Sequence, residues 1–437
     1  MPEKLIVIGG GTAGTSVALH VRKKAPDMDI TIFTKDKHTA YSPCGIPFVL
    51  SGQVSSFEEL IMHDVQNYKD QCIDVQTNTE VTAIDLPSKS IIANGKQFCY
   101  DKLVIATGSL SLIPQIPGTD KKGVYILRSL DDGQKVKDAM NNAKKAVIVG
   151  AGPTGLEIAT AFIKVGIDTT VVEKAPYVLP CMLDPDMASP VQNHLEDLGV
   201  KVMTGFSLGS INGSDNVEFV TIGKEVVTAD LVILCTGTMP STCLSRQAGI
   251  GVGETEGIKV DSAMRVAENV YAAGDCVEVM NCITNRPCLS PRGSSAVMQA
   301  KVVAENVCGG SMVFGPVLHP TICLVGDLQV GSVGVTSNVA KNAELTPVEG
   351  KAKGLTRSSY YPEAKKINIK LLFFEKRLIG AQVISEEGAK ERIDALSLVI
   401  KSGMTAQQML MAETCYAPPM SAIVDVLTLA LEDVIDL

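Results

Sequence analysis

The sequence predicts an α/β chain with two Rossmann-like dinucleotide-binding domains and a C-terminal α+β domain. Two segments, residues 4–34 and 145–173, share one grammar of strand, glycine turn, helix and strand. The character of the chain then changes near His319, where antiparallel patterns replace these units. The length of 437 residues agrees, suggesting about three domains at ~150 residues each.

In the first unit KLIVIGGGTAG leads into TSVALHVRKKAP and then DITIFT. In the second, KAVIVGAGPTG leads into LEIATAFIKVG and then IDTTVVE. Apolar runs rich in β-branched residues mark strands buried on both faces of a parallel sheet. Between the units, TEVTAIDLPSKSIIA reads as a hairpin and YDKLVIATGS as a strand ending in a glycine turn. TADLVILCTGTMP and ENVYAAGDC repeat that strand-to-glycine pattern after the second unit. In the tail, LLFFEKRLIGAQVIS reads as two antiparallel strands around a tight turn. EEGAKERIDALSLVIKSG has helical apolar spacing and stops on a glycine. The domains are placed at residues 1–112 with 241–318, at 113–240, and at 319–437.

Composition narrows the function. Hydrophobic residues make up 46% and charged residues 20%, the balance of a globular chain with a substantial core. The net charge of −9, without a long basic run, argues against nucleic acid or an anionic membrane as partner. MPEKLIVIGGG enters a strand at once, which argues against a secretory leader, and no apolar run approaches the ~18 residues of a membrane span. The expected location is the cytoplasm. The 12 cysteines contain no C-x-x-C pair, so they read as thiols rather than a disulfide framework. Cys276, Cys282 and Cys288 do not have zinc spacing, and no metal site is expected.

Gly9, Gly11 and Gly14 form G-x-G-x-x-G directly after a strand, and Gly150, Gly152 and Gly155 repeat it. The first glycine permits the tight turn and the second lets backbone approach a pyrophosphate. The third lets helix pack on strand, with the pyrophosphate at the helix N-terminus. An acidic residue near the end of the second strand usually holds a ribose hydroxyl. In the second unit it is Glu173, whose carboxylate would repel a 2′-phosphate and so favour NADH. Neighbouring Lys174 leaves NADPH open. In the first unit Thr34 occupies the equivalent place, with Asp36 or a backbone contact as the substitute.

The order of G-x-G-x-x-G, Ala106-Thr107-Gly108, a second G-x-G-x-x-G and Ala273-Gly274-Asp275 resembles the pyridine nucleotide–disulfide oxidoreductases along essentially the whole chain. The resemblance implies FAD held at Gly9, Gly11, Thr12, Ala13, Gly14, Thr34, Val81, Thr107, Gly108, Gly274 and Asp275, with Asp275 on the ribityl chain. It implies a nicotinamide cofactor at Gly150, Gly152, Gly155, Glu157 and Glu173. It also implies a homodimer formed through the tail.

The redox cysteine selects the branch. No pair of cysteines lies five apart in the first unit and no C-terminal histidine follows His319. A single cysteine lies in Tyr41-Ser42-Pro43-Cys44-Gly45-Ile46-Pro47, which resembles the single-cysteine branch of coenzyme A disulfide reductases, persulfide or polysulfide reductases and NADH oxidases. One cysteine suffices, because reduced flavin delivers two electrons to its sulfur in a mixed disulfide or sulfenic acid and the freed thiolate attacks the next substrate. The thiolate should have a lowered pKa, supplied by a helix N-terminus and the flavin. By resemblance, Tyr361 and Tyr416, in Tyr-Tyr-Pro and Tyr-Ala-Pro-Pro, protonate a leaving thiolate from the partner subunit. Arg22, with Lys23 and Lys24, is a candidate for a phosphate-bearing substrate. Pro43 before the cysteine, and Ser421-Ala422-Ile423-Val424 in place of a lysine-containing motif, depart from the coenzyme A pattern. Thr12 stands where oxidases and peroxidases of the branch commonly have histidine, and lacks an acid to protonate leaving hydroxide.

The leading expectation is thus an NADH-dependent reductase of a small disulfide, persulfide or polysulfide. The alternatives are an NADH oxidase reducing oxygen and a reductase of a rubredoxin- or ferredoxin-like carrier.

Overall fold

The computed structural model describes residues 2–435. Its first sheet has six strands in the order Arg265–Ala267, Val270–Ala272, Lys102–Ile105, Lys4–Ile8, Asp29–Phe33 and Ile73–Gln76. Apart from the Arg265–Ala267 edge, the neighbours pair in parallel. The second sheet is wholly parallel, in the order Lys201–Thr204, Asp168–Glu173, Lys145–Val149, Leu231–Leu234 and Val124–Ile126. The central strands Leu5–Ile8 and Ala146–Val149 are buried throughout, as continuous apolar runs require when helices cover both faces.

The two units match bond for bond. Gly9 N–H donates to Phe33 O at 2.8 Å, and Gly150 N–H donates to Val172 O at 2.8 Å. Ala106 N–H donates to Ile8 O, and Cys235 N–H to Val149 O, each at 2.8 Å. The helices Thr12–Lys24 and Pro153–Lys164 start from extended glycines, Gly11 and Gly152.

The tail forms a separate five-stranded antiparallel sheet: Thr321–Val325, Leu328–Gly334, Arg377–Ser385, Lys366–Phe374 and Val348–Leu355. Its hairpin turns at Glu375 and Lys376, both in the left-handed region that a two-residue turn demands. The helix Ala389–Ser402 ends on left-handed Gly403. With Val426–Ile435 it packs on the sheet through Ile393, Leu396, Ala430 and Leu431.

An ion cluster locks this tail to the second unit. Lys370, only 3% exposed, lies 2.9 Å from Asp184, 3.0 Å from Asp186 and 3.2 Å from Glu349. Asp184 also accepts from the Gln382 amide at 2.9 Å and the Ser337 hydroxyl at 2.7 Å. Among the described residues no helix is long and apolar enough to cross a membrane.

Candidate functional site

The glycines of each turn divide by what a side chain would meet. A Cβ on Gly9 would sit 2.0 Å from Ala106 O, and one on Gly14 2.0 Å from Gly9 O. Gly150 and Gly155 face Cys235 O at 2.3 Å and Gly150 O at 2.0 Å in the same way. These four are glycine because the chain packs against itself there. Nothing lies within 4 Å of a Cβ on Gly11 or Gly152. The protein's own packing therefore does not require these two to be glycine. Open backbone at a helix N-terminus fits a pyrophosphate, which needs close approach and N–H donors.

Around the first turn, Gly274 is left-handed and a Cβ on it would lie 3.0 Å from that of Ala13. Asp275 is thereby brought beside the start of the first helix. Thr12 is exposed at that start. Thr34 is 4% exposed and packs directly under Gly10, and its hydroxyl accepts from Asp36 N–H at 3.3 Å. Burial pushes the Asp36 carboxyl up, with Lys35 opposing. Val81 lies half-buried at the start of the hairpin strand Val81–Asp85. The Thr107 hydroxyl donates to Ser241 O at 2.7 Å and Gly108 O accepts from Ser241 N–H at 2.9 Å, lacing the two crossings of the chain together.

In the second turn both oxygens of Glu173 accept backbone N–H groups, from Ala151 and from Ala175, each at 2.7 Å. The carboxylate braces the turn, and each oxygen keeps a lone pair for a ribose hydroxyl. Glu157 lies half-buried on the following helix, where it accepts from Leu324 N–H at 3.3 Å. Burial pushes its carboxyl up to about 7, with the Leu324 bond opposing.

Cys44 sits in a single turn, Pro43–Gly45, that runs into the short helix Ile46–Leu50. The prolines at 43 and 47 suit helix starts, where a missing N–H costs nothing. That helix packs on Pro153–Lys164 through Ile46, Val49 and Leu50. Cys44 keeps an exposed face. Yet burial of its thiol pushes the pKa up, the Glu157 charge adds to this, Arg128 opposes and Asp275 adds again. The protein's own groups thus raise the thiol that the sequence expects to be lowered, because desolvation outweighs the cation.

Arg128, which the sequence reading missed, is the nearby cation. Its guanidinium donates to Asp275 at 3.0 Å and to Ser109 Oγ at 2.9 Å, and the Ser109 hydroxyl donates to Asp275 at 2.9 Å. The signal was present: Ser129 and Asp132 form a capping box on the helix Leu130–Met140, which places Arg128 just ahead of it.

The remaining candidates lie apart from this junction. Arg22 sits at the far end of the first helix, donating to Pro26 O and, at 2.6 Å, to Cys72 O. In the tail, hydrogen bonding to the Tyr360 and then the Ser358 side chain holds the Tyr416 hydroxyl below its ordinary pKa. Tyr361 instead lies under Arg357, 5.9 Å from the ring centre. Met411, Met420 and Ile423 flank this segment, each 78% exposed, an apolar surface of the kind that marks an interface.

Residues 3–302 match the family model described as pyridine nucleotide-disulphide oxidoreductase, and residues 320–427 match that of its dimerisation domain. An NADH oxidase of Methanocaldococcus jannaschii is 42% identical over 440 residues, covering 98% of this chain and 98% of that one. An NAD(P)H coenzyme A polysulfide/persulfide reductase of Pyrococcus horikoshii is 30% identical over 97% of each chain. The solved structure of an NAD-dependent persulfide reductase from A. fulgidus superposes with a TM-score of 0.96 at 37% identity. It covers 98% of this chain and 82% of that one.

Proposed function

Because the chain belongs to the pyridine nucleotide-disulphide oxidoreductase family, we propose that it carries electrons from NADH by way of FAD to the sulfur of Cys44, whose thiolate takes up one half of a small disulfide, persulfide or polysulfide as a mixed disulfide, releases the other half as a thiol, and is restored when that electron pair reduces the mixed disulfide. It is an oxidoreductase that uses FAD and a pyridine nucleotide. FAD, when bound, accepts a hydride and passes on an electron pair. The chain's residues bind, orient and hold protons. Gly9, Gly11, Thr12, Ala13 and Gly14 form the cradle for its pyrophosphate. Thr34, Val81, Thr107, Gly108, Gly274 and Asp275 would hold the rest of the cofactor, with Arg128 fixing Asp275. Gly150, Gly152 and Gly155 cradle NADH, with Glu173 on the ribose and Glu157 beside the nicotinamide.

The observation that carries the reading is the placement of Cys44, an accessible thiol at the head of a short helix that packs on the helix opened by the second glycine turn. The relatives named for persulfide and polysulfide reduction support the substrate class. The exposed apolar face around Tyr416 supports a homodimer in which Tyr416, with Tyr360 or Tyr361, serves the partner's thiol. The 12 free thiols suit a reducing cytoplasm.

The test is a Cys44→Ser variant. It should keep FAD and still bleach it with NADH, yet lose turnover of bis(2-hydroxyethyl) disulfide and of polysulfide. Undiminished turnover would refute the reading. The NADH oxidase relative favours a second reading, oxygen reduction. Oxygen uptake faster than disulfide turnover would establish it.

A further inference from the structure

Arg292 stands where the two nucleotide-binding units meet the tail, and its charge is unanswered there. It precedes the helix Gly293–Val307, which joins the core of the first sheet through Ala300 and Val303. Its Nε donates to the Thr321 hydroxyl at 2.9 Å and its Nη1 to His319 Nδ1 at 2.7 Å. Among the described residues Arg292 forms no ion pair. Two carboxylates on neighbouring segments already have cations of their own: Asp275 lies 3.0 Å from Arg128, and Asp184 lies 2.9 Å from Lys370.

The donors fix the state of the imidazole. A guanidinium nitrogen can only donate, so His319 Nδ1 accepts and the ring proton sits on Nε2. That N–H faces Cys288 Sγ, 3.3 Å away. Burial, and then Arg292, push the His319 pKa down to about 4, so the ring stays neutral. Burial pushes the Cys288 thiol up to about 11, with Arg292 opposing. Neither neighbour therefore supplies a negative charge, and the local charge is that of a single half-buried guanidinium.

Beside the guanidinium lies a cavity of about 20 Å³, whose wall includes Arg292, His319, Thr321, Ser332, Thr336 and Cys181. One water needs roughly 10–15 Å³ on this measure, so the space suits one small particle. Ser332 and Thr336 are 9% and 6% exposed. The Thr336 hydroxyl accepts from Val339 N–H at 3.3 Å, capping the helix Ser337–Asn342. Among the described residues neither hydroxyl donates its own proton to another group. The cavity thus offers one full positive charge and two buried O–H donors, and no carboxylate lines it. A charge drawn out of water is costly unless it is paired. We propose that this cavity binds one small monovalent anion, of the size of chloride or hydrosulfide, held by Arg292 and the hydroxyls of Ser332 and Thr336. Its wall joins Cys181 of the second unit, Arg292 of the first and Ser332 of the tail, so the anion ties the three together. A phosphate or sulfate is too large for it and carries a second charge that one guanidinium does not match. The site stands independently of the electron path proposed above; only hydrosulfide, as a product of persulfide reduction, would connect the two.

The experiment uses the FAD-loaded enzyme, reduced with NADH under anaerobic conditions in sodium gluconate, whose anion is too large for the cavity. Chloride, bromide, hydrosulfide and sulfate are each titrated in at constant ionic strength while the melting midpoint is followed. In the wild type the three small anions should raise the midpoint saturably, by about 1–3 °C at a roughly tenfold excess over the dissociation constant, and sulfate should not. Crystals soaked in bromide should show an anomalous peak within hydrogen-bond distance of the Arg292 guanidinium and the Ser332 hydroxyl. Arg292→Met should abolish the response. Ser332→Ala keeps the charge and should weaken binding about tenfold. Saturation at a lower concentration of hydrosulfide than of chloride identifies the product as the occupant, and the reverse order identifies a salt ion. The proposal is overturned if bromide gives no peak in this cavity, if Arg292→Met responds as the wild type does, or if sulfate shifts the midpoint as far as chloride. Should Arg292→Met not fold, the bromide peak and Ser332→Ala decide, and an unchanged half-maximal concentration in Ser332→Ala overturns the proposal.

Discussion

The Arg128 guanidinium lies 3.0 Å from the Asp275 carboxylate and joins the second nucleotide-binding unit to the first. Side-chain exposures of 37% and 18% leave the pair partly solvated, so the stabilisation is modest, about 1 kcal/mol after screening. Its larger consequence is positional, because Asp275 is also the residue expected on the FAD chain. Arg128→Gln should lower the melting temperature by only a few degrees but release FAD more readily. Flavin fluorescence during dialysis measures that release. Retention of FAD equal to the wild type would show that Asp275 is positioned without Arg128.

The glycines of one turn should behave in two different ways. Gly9→Ala places a Cβ against Ala106 O at 2.0 Å and on a φ of +121°, so it should cost roughly 2–6 kcal/mol and leave little soluble protein. Gly11→Ala meets no atom of the chain within 4 Å, so it should fold normally. Its loss should be in FAD content alone, read from the ratio of flavin to protein absorbance. Gly150→Ala and Gly152→Ala should repeat the contrast, with NADH affinity as the second readout.

Lys370 is the most buried cation described here at an interdomain contact, facing Asp184, which is 1% exposed. Lys370→Met leaves the Asp184 charge buried with only its neutral partners, and should cost roughly 3–5 kcal/mol. Adding Asp184→Asn should recover much of that loss, which urea denaturation of the two variants can establish. The carboxyls of Asp186 and Glu349 are desolvated by burial, but Lys351 and Lys370 together hold both below the ordinary range. Their contribution is present above the unfolded pKa and is lost as pH falls through the lower folded one. The variant should therefore lose its penalty in acid.

Glu157 gives the opposite sign. Its folded pKa of about 7 stands above the ordinary glutamate value because burial disfavours the charged form. Stability tied to this group is complete below the unfolded pKa and is lost as pH rises through about 7. Glu157→Gln should thus be more stable than the wild type at pH 8, by at most about 3 kcal/mol, and equal to it near pH 4. Denaturation midpoints at the two pH values decide it. A constant difference would mean that the carboxyl does not titrate in this range.

Much of the molecule was legible in local pattern. The βαβ units, the tail hairpin and the helix closing on Gly403 each follow from spacing that a short segment carries by itself. The open positions at Gly11 and Gly152 were likewise marked by their place in the motif. The glycine at 403 and the two-residue turn at Glu375–Lys376 needed only backbone stereochemistry.

What the sequence alone determined is therefore the set of parts: two nucleotide cradles, one thiol in a proline-framed turn, and a tail built to pack against something. Tertiary structure decided what those parts do to one another. Arg128 and Asp275 are 147 positions apart, and Glu157 meets Leu324 across 167. No periodicity encodes such meetings, because they arise from how whole domains pack. The same holds for the acidity of Cys44. Sequence context marked it as reactive, but desolvation and the field of Glu157, both properties of the assembled fold, set the direction of its pKa.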